Sequence, residues 1–293
     1  MTFEDIVNAT LTGLTGAGLL FVVSVGLTLV FGALRVINLA HGSLYMVGAF
    51  VTSSIVAWLG GGVGLWPALL LAAAAAAAVG VIAEVGVLRR LYGKEHLLQL
   101  LATYALVLIL ADLVQIVWGA SNRTVDRPAG LDGSVDILGQ GFAVYNLWII
   151  AFALAVGAGL YLLLNRSALG RNIRAAIGDP EMLAGVGVNV PLLFTTVFVL
   201  GAALAGAAGA VVAPSGAVGL GMDIDIIVLA FAVTIIGGLG SIPGALVGAT
   251  IVGLVDSFGI ELAPRFTLAF VFVVMVVVLA VRPTGLFGVP ERA

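Results

Sequence analysis

Seven long apolar stretches with few charged side chains determine what this chain can fold into. A membrane-spanning helix needs about 20 mainly apolar residues, and each stretch comes near that length. They lie near residues 11–34, 43–59, 66–88, 97–118, 146–164, 191–213 and 266–281. The sequence therefore predicts an all-α polytopic membrane protein, built as a single transmembrane domain over residues 1–293.

An eighth apolar region, residues 226–258, is too long for one ordinary span. Its middle, Gly237 to Gly244, has a Gly or Pro at five of eight positions, which disfavours a continuous helix. We predict two segments, 226–239 and 243–259. The total is then about eight to nine transmembrane segments, and a re-entrant hairpin of half-helices is the alternative for this pair.

Composition excludes several classes of protein. Hydrophobic residues make up 62% of the chain and charged residues 9%, whereas about a quarter of an average soluble domain is charged. A soluble enzyme and a disordered chain are therefore excluded, and the lack of cysteine excludes a disulfide scaffold. The acidic start, Met1 to Asp5, is unlike a secretory signal, so we expect the first apolar stretch to remain as a span.

The basic residues indicate an orientation. Cytoplasmic loops carry an excess of Lys and Arg, and an outside N-terminus places nine of the 12 basic residues inside. These nine are Arg35, Arg89, Arg90, Lys94, Arg166, Arg171, Arg174, Arg282 and Arg292. The sequence therefore predicts an N-out, C-in protein.

Two connections are long. The outer one, residues 119–145, has mixed charge and turn signals and is expected to be a solvated loop, serving either as a plain connector or as a docking surface. In the inner one, residues 165–190, Asp179 and Pro180 predict the start of a short helix, roughly 180–186. The apolar face of that helix would consist of Met182, Leu183 and Val186. It either rests on its own membrane domain or contacts a cytoplasmic partner.

Motifs for chemistry are absent from the sequence. No P-loop, dinucleotide-binding pattern or zinc-protease motif is present, and two histidines cannot form a His-rich metal site. We therefore expect no enzymatic activity, no cofactor, no metal and no binding of nucleic acid. Among the acidic residues in predicted spans, Glu84 is expected to pair with Arg89 and Arg90, and Asp112 is the best candidate for a buried role.

Four blocks resemble the LivH-type permeases, the membrane subunits of bacterial ABC importers for branched-chain amino acids. The first runs from Gly26 to Phe50 and includes Asn38-Leu-Ala-His-Gly42. The second starts at Leu169-Gly-Arg-Asn-Ile-Arg-Ala175 and continues to Val190. The third and fourth are Gly237-Gly-Leu-Gly-Ser-Ile-Pro-Gly244, continuing to Gly248, and Arg282-Pro-Thr-Gly-Leu-Phe-Gly288.

This resemblance implies a set of partners and an inner-membrane location in a bacterial cell. The partners would be a homologous LivM-like permease, two cytoplasmic ATPase subunits, a periplasmic solute-binding protein and membrane lipid. The implied ATPase-coupling loop contains Arg174, Asp179, Glu181, Met182, Leu183 and Gly187. Met182-Leu183 replaces the alanine pair that is usual in the family.

Breaks in membrane helices are tolerated inside a protein or along a water-filled path. The breaks at 35–42 and 237–244 therefore predict the translocation path, whose candidate residues are Asn38, His41, Gly42, Gly238, Ser241 and Pro243. Branched-chain or related small amino acids are the expected solutes, with urea, amides and other small organic solutes as alternatives. An ion-coupled secondary carrier and a structural scaffold without transport are the competing classes.

Overall fold

The computed structural model describes residues 2–60 and 64–288, so Arg292 lies outside the described residues. In the described part the chain folds into eleven α-helices and one small β-hairpin. The helices are α1 (Phe3–Leu34), α2 (His41–Leu59), α3 (Leu65–Gly86), α4 (His96–Trp118), α5 (Val144–Arg166), α6 (Ala168–Gly178), α7 (Pro180–Gly185), α8 (Val190–Val212), α9 (Met222–Gly237), α10 (Ile242–Leu262) and α11 (Thr267–Val281).

Two central helices, α1 and α8, organise the bundle. Helix α1 packs along α10 and also contacts α5, α8 and α9, while α8 packs along α3 and α2. The contacts correspond in pairs, because α2 packs on α3 as α9 packs on α10, and α4 contacts α2 as α11 contacts α9. Helices α2–α4 and α9–α11 therefore form two similar groups, one packed on α8 and the other on α1.

Small side chains allow these helices to approach closely. Helix α3 presents Ala72, Ala76 and Gly80 at four-residue spacing, and all three are buried. A Cβ atom on Gly206 of α8 would overlap Ala76, and one on Gly80 would overlap Ala202. In lipid, such small-residue stripes support helix packing by van der Waals contact. The alanine run of α3 is therefore a packing surface.

The predicted membrane architecture is confirmed. Among the described residues, eight helices are long and apolar enough to cross a membrane. The region 226–258 divides as predicted, with a break between α9 and α10. Helix α10 has 21 residues, enough for about 32 Å, whereas the 16 residues of α9 give only about 24 Å. One short helix and one full-length helix therefore form this pair, and the orientation stays a prediction.

The long connection 119–145 contains structure that the sequence did not predict. Strands β1 (Ser134–Ile137) and β2 (Gln140–Ala143) pair in an antiparallel hairpin. Leu138 and Gly139 both have positive φ, as a two-residue hairpin turn requires. The backbone of Arg123 also pairs with that of Val218, with N···O distances of 2.8 Å in both directions. This loop is thus attached to the connection between α8 and α9.

The connection 165–190 also holds more structure than predicted. The short helix is present as α7, but α6 precedes it and had not been predicted. The Ser167 hydroxyl caps α6 by accepting a hydrogen bond from the Gly170 amide at 3.1 Å. Gly170 also packs against the backbone of Leu164. The end of α5 and the start of α6 therefore form a tight corner.

Candidate functional site

Helix α2 begins inside the bundle, well away from the end of α1. Arg35, with a φ of 53°, ends α1, and the chain then runs back beside that helix. The His41 Nε2 atom lies 3.0 Å from the Val23 carbonyl oxygen. Since that oxygen is an acceptor, Nε2 donates and carries the proton. Val23 lies eleven residues before Leu34, so α2 starts about 16 Å inside that end of α1.

The first turns of α2 and α9 meet at this depth. The Ser43 hydroxyl donates a hydrogen bond to the Asp223 carboxylate at 3.0 Å, and both side chains are at least 97% buried. Gly42 allows this approach, because a Cβ atom there would overlap the Asp223 carbonyl oxygen. Two helix starts are therefore joined by one polar contact within the apolar bundle.

Several buried polar atoms beside this junction are not satisfied within the described part of the chain. Both amide atoms of Asn38 and the Nδ1 atom of His41 find no hydrogen-bond partner among the described residues. The same holds for the hydroxyls of Ser24 and Thr28 on α1. Because buried polar groups are normally hydrogen-bonded, these atoms mark the part of the interior most suited to polar contacts with water or solute.

The break between α9 and α10 forms a compact turn. Gly238, with a φ of 101°, ends α9, and the Ser241 hydroxyl caps α10 by accepting from the Gly244 amide at 3.1 Å. Pro243 lies in the first turn of α10 and is exposed. The proline is tolerated there because the amides of a first helical turn have no partner within the helix.

The segment after α11 completes this turn. The amides of Leu286 and Phe287 donate to the carbonyl oxygens of Ile236 and Gly237, each at 2.9 Å. A Cβ atom on Gly285 would overlap the backbone of Gly238, and one on Gly238 would overlap the backbone of Gly288. The sequence blocks 237–248 and 282–288 are therefore one structural unit.

All four sequence blocks converge at one end of the bundle, which we call the basic end and define by Arg35, Arg89 and Arg166. Gly32 of the first block packs against Gly240 of the third. A cavity of about 440 Å³ opens there, lined in part by Arg174, Ser241 and Phe287. The structure thus brings coupling-loop and path candidates together, whereas Asn38, His41 and Gly42 lie deeper in the bundle.

The predicted coupling helix is capped as expected, and only part of its apolar face is buried. The Asp179 carboxylate accepts a hydrogen bond from the Met182 amide at 2.9 Å, and Gly187 has a φ of 89°. Leu183 is buried, whereas Met182 and Val186 are each 70% exposed. Of the predicted apolar face, only Leu183 therefore packs on the described part of the chain, whereas Met182 and Val186 remain exposed.

Exposed groups of α7 are available to a partner. Glu181, Met182 and Val186 project from the helix, and Arg174 of α6 is exposed while its guanidinium donates to the Leu164 carbonyl. Helix α7 contacts α6 and α8 and is joined to α8 by only four residues. A displacement of α7 would therefore act directly on a central helix of the bundle.

A buried carboxylate links α3 to α8 near the basic end. Glu84, with no exposed surface, accepts from Arg89 at 3.1 and 3.2 Å and from Tyr92 at 2.9 Å. The Thr195 hydroxyl of α8 also donates to it at 2.9 Å. The hydrogen bond to Glu84 raises the pKa of Arg89, and burial together with the same carboxylate raises that of Tyr92.

Sequence reasoning found this site only in part. Arg89 pairs with Glu84 as expected, whereas Arg90 is exposed and forms no ion pair within the described residues. Tyr92 and Thr195 were missed, since Thr195 is 111 positions from Glu84. The expectation of a buried role for Asp112 was wrong: Asp112 is exposed on α4, a helix with only a narrow buried face.

Known proteins resemble this chain over nearly its whole length. The high-affinity branched-chain amino acid transport system permease protein BraD of Pseudomonas aeruginosa is 31% identical over 98% of this chain and 96% of its own. The corresponding permease protein LivH of Escherichia coli is 27% identical, over 95% and 94%. The fructose import permease protein FrcC of Rhizobium meliloti is 31% identical over 55% and 49%. No solved structure matches this chain.

The family model described as the permease component of the branched-chain amino acid transport system matches residues 9–279. This range includes every spanning helix apart from the ends of α1 and α11. It also includes the junction of α2 with α9, the turn at 238–241 and the coupling segment. The chain therefore belongs to the branched-chain amino acid transport system permease family.

Proposed function

We propose that the chain is the membrane-spanning permease subunit of a bacterial ABC importer for branched-chain or related small amino acids. It pairs with a homologous second permease and with two cytoplasmic ATPase subunits. A periplasmic binding protein delivers the solute at the outer face of the inner membrane. The chain itself catalyses no reaction, and the energy for transport comes from ATP hydrolysis on the partners.

The observation that carries this proposal is the connection of α7 with the bundle interior. An exposed, capped helix at the basic end joins α8 through four residues. Helix α8 in turn contacts α2, whose first turn carries the buried residues His41 and Ser43, and buried Asn38 lies just before that turn. ATP-driven movement at α7 is thereby transmitted to the start of α2, where the path candidates lie.

The competing hypothesis, that the chain is an ion-coupled secondary carrier, is less well supported. Such a carrier usually needs ionisable groups within the membrane that exchange protons or ions. The two buried carboxylates in the described part of the chain are already bound, Glu84 by Arg89, Tyr92 and Thr195 and Asp223 by Ser43. They act as structural links and form no relay.

The resemblance to a fructose import permease concerns the choice of solute. That similarity covers 55% of this chain, so membrane domains of this type are related across solutes of different chemistry. Amino acids remain the proposed cargo because the relatives matched over nearly full length are branched-chain amino acid permeases. Urea, amides and other small organic solutes form the second candidate group.

Uptake in proteoliposomes tests the function. The chain is reconstituted with its partner permease and ATPases, with ATP inside, and the binding protein delivers labelled leucine outside. We expect uptake that needs ATP and persists after ionophores collapse ion gradients. Gradient-driven uptake by the chain alone, without ATP, would contradict the proposal. Competition by unlabelled valine, urea, acetamide and fructose then identifies the solute class.

The coupling role of α7 has its own test. Replacement of Glu181 by Ala should lower binding-protein-stimulated ATPase activity and uptake at least tenfold, because an exposed contact with the ATPase is lost. Glu95→Ala is the matched control, since Glu95 is also exposed, lies at the same end and makes no side-chain cap. Equal activity of both variants would exclude Glu181 from coupling.

A further inference from the structure

A groove lies on the surface between α5 and α10, and one end of it is lined by the coupling-loop residue Arg174 and the path candidates Ser241 and Pro243. It consists of the cavity of about 440 Å³ described above and a second cavity of about 460 Å³. Tyr161, Ile242 and Pro243 line both cavities, which therefore adjoin. The groove runs from the basic end along the membrane-spanning part of the bundle.

The second cavity is apolar because of the side chains on its two walls. On α5 the wall includes the small residues Gly157 and Ala158 beside Leu154 and Leu162, and on α10 it is formed by Pro243 and Leu246. A side chain at Gly157 would press against the ring of Phe21, which forms the floor. Every lining residue except Tyr161 is apolar, and the groove is therefore suited to a hydrocarbon chain.

The polar side chains of the groove are gathered at its other end, among apolar ones such as Leu164 and Ile173. Arg174, Asn165, Ser241 and Thr28 line the first cavity. Among the described residues no Asp or Glu lines either cavity. Arg174 donates to the Leu164 carbonyl, and a guanidinium group has five N–H donors, so it can also bind an anion. Arginine suits phosphate in particular, because its planar donors match the phosphate oxygens.

We propose that this groove binds one anionic phospholipid. An acyl chain lies between α5 and α10, and the phosphate lies at Arg174, level with the polar boundary of the membrane. Charge complementarity supports this occupant, since the headgroup would meet a cation with no competing carboxylate.

Native mass spectrometry of the purified protein tests the proposal in detergent containing phosphatidylglycerol. We expect one retained phosphatidylglycerol per chain. Ala158→Phe should fill the apolar cavity and Arg174→Gln should remove the cation, and each should lower retention at least fivefold. Ala155→Phe and Arg171→Gln are matched controls, since both residues are exposed, lie on the same helices and line neither cavity. Equal retention in all five proteins would overturn the proposal.

Photocrosslinking provides a second measurement that does not depend on the variants. Phosphatidylglycerol and phosphatidylethanolamine, each with a diazirine on the acyl chain, are incorporated separately into vesicles with the unaltered protein. We expect phosphatidylglycerol to label the peptide containing residues 153–162 at least fivefold more than phosphatidylethanolamine does. Equal labelling by both lipids would show an ordinary lipid contact, and a crosslink between two copies of this peptide would show a protein in the groove. Either result would contradict the proposal.

Discussion

Two helices of this bundle begin inside it, and they are built from different chemistry. Helix α2 starts with the neutral residues His41, Gly42 and Ser43, whereas α9 starts after Gly221 with Asp223 and Asp225 in its first turn. Carboxylates near a helix N-terminus are stabilised by the partial positive charge of its backbone amides. Helix α9 therefore supplies its own compensating charge, and α2 supplies the hydroxyl that binds it.

This difference is the basis for assigning the two helix starts different proposed roles. At the start of α9 the buried Asp223 has a partner, Ser43. Beside the start of α2, Asn38 and the Nδ1 atom of His41 have none among the described residues. We infer that the α9 start holds the junction together, while the α2 start provides polar groups for transient contact with water or solute.

The largest expected effect comes from closing the junction sterically. Gly42→Val should destabilise the protein by more than about 3 kcal/mol, the upper range for overpacking, because its side chain would overlap the backbone of Asp223. Unfolding in mixed micelles measures this loss. Gly16→Val is the control, since a side chain there meets nothing within 4 Å. Similar stability of the two variants would show that the two helix starts do not touch.

Removal of the polar contact should have a smaller effect. Asp223→Ala should cost about 2 kcal/mol, since hydrogen bonds to charged groups contribute about 1.5–3 kcal/mol. A double-mutant cycle with Ser43→Ala measures their coupling. Asp225→Ala, at an exposed position of the same turn, should change the unfolding free energy by less than about 0.5 kcal/mol. A coupling energy near zero would contradict the contact.

The buried carboxylate of Glu84 lies outside both helix starts and serves as a reference for that of Asp223. Glu84→Gln should cost about 1 kcal/mol, because the amide retains part of the hydrogen bonding and Arg89 is 38% exposed, so its pairing is screened by solvent. Thermal unfolding of Glu84→Gln measures this loss. Asp112→Asn, which alters an exposed carboxyl on α4, is the control. A loss larger than that of Asp223→Ala would reverse the order of the two carboxylates.

The smallest effect on stability is expected at Asn38. Asn38→Ala removes two buried polar atoms that have no partner in the described part of the chain, so the unfolding free energy should change by less than about 1 kcal/mol. Uptake in proteoliposomes should nevertheless fall several-fold if these atoms contact the solute. If Asn38→Ala lowers the stability but leaves uptake per folded protein unchanged, Asn38 has a packing role.

The sequence was informative where a local rule acts within one segment. Charge-free runs predicted the spans, and the glycines and proline at 237–244 predicted the break before α10. Local capping by Asp179 and Pro180 predicted α7. Helix α6 was missed because Gly170 and Gly178 lower helix propensity, and its start depends on Gly170 packing against Leu164.

Features that depend on distant residues were beyond the sequence. The position of the α2 start depends on Gly26 facing His41 and on Gly42 facing Asp223. Hydropathy placed Asp112 in a span but did not indicate the face on which it lies. Several candidate site residues were named from the sequence, whereas the convergence of four separate blocks at the basic end appears only in three dimensions.

The link between α9 and the segment after α11 has a consequence for biosynthesis. The carbonyl oxygens of Ile236 and Gly237 receive their hydrogen bonds from the amides of Leu286 and Phe287, which the ribosome adds about fifty residues later. Helices α10 and α11 must therefore enter the membrane before the end of α9 is satisfied. This turn at the basic end is thus closed only after translation has passed the membrane-spanning helices of the described residues.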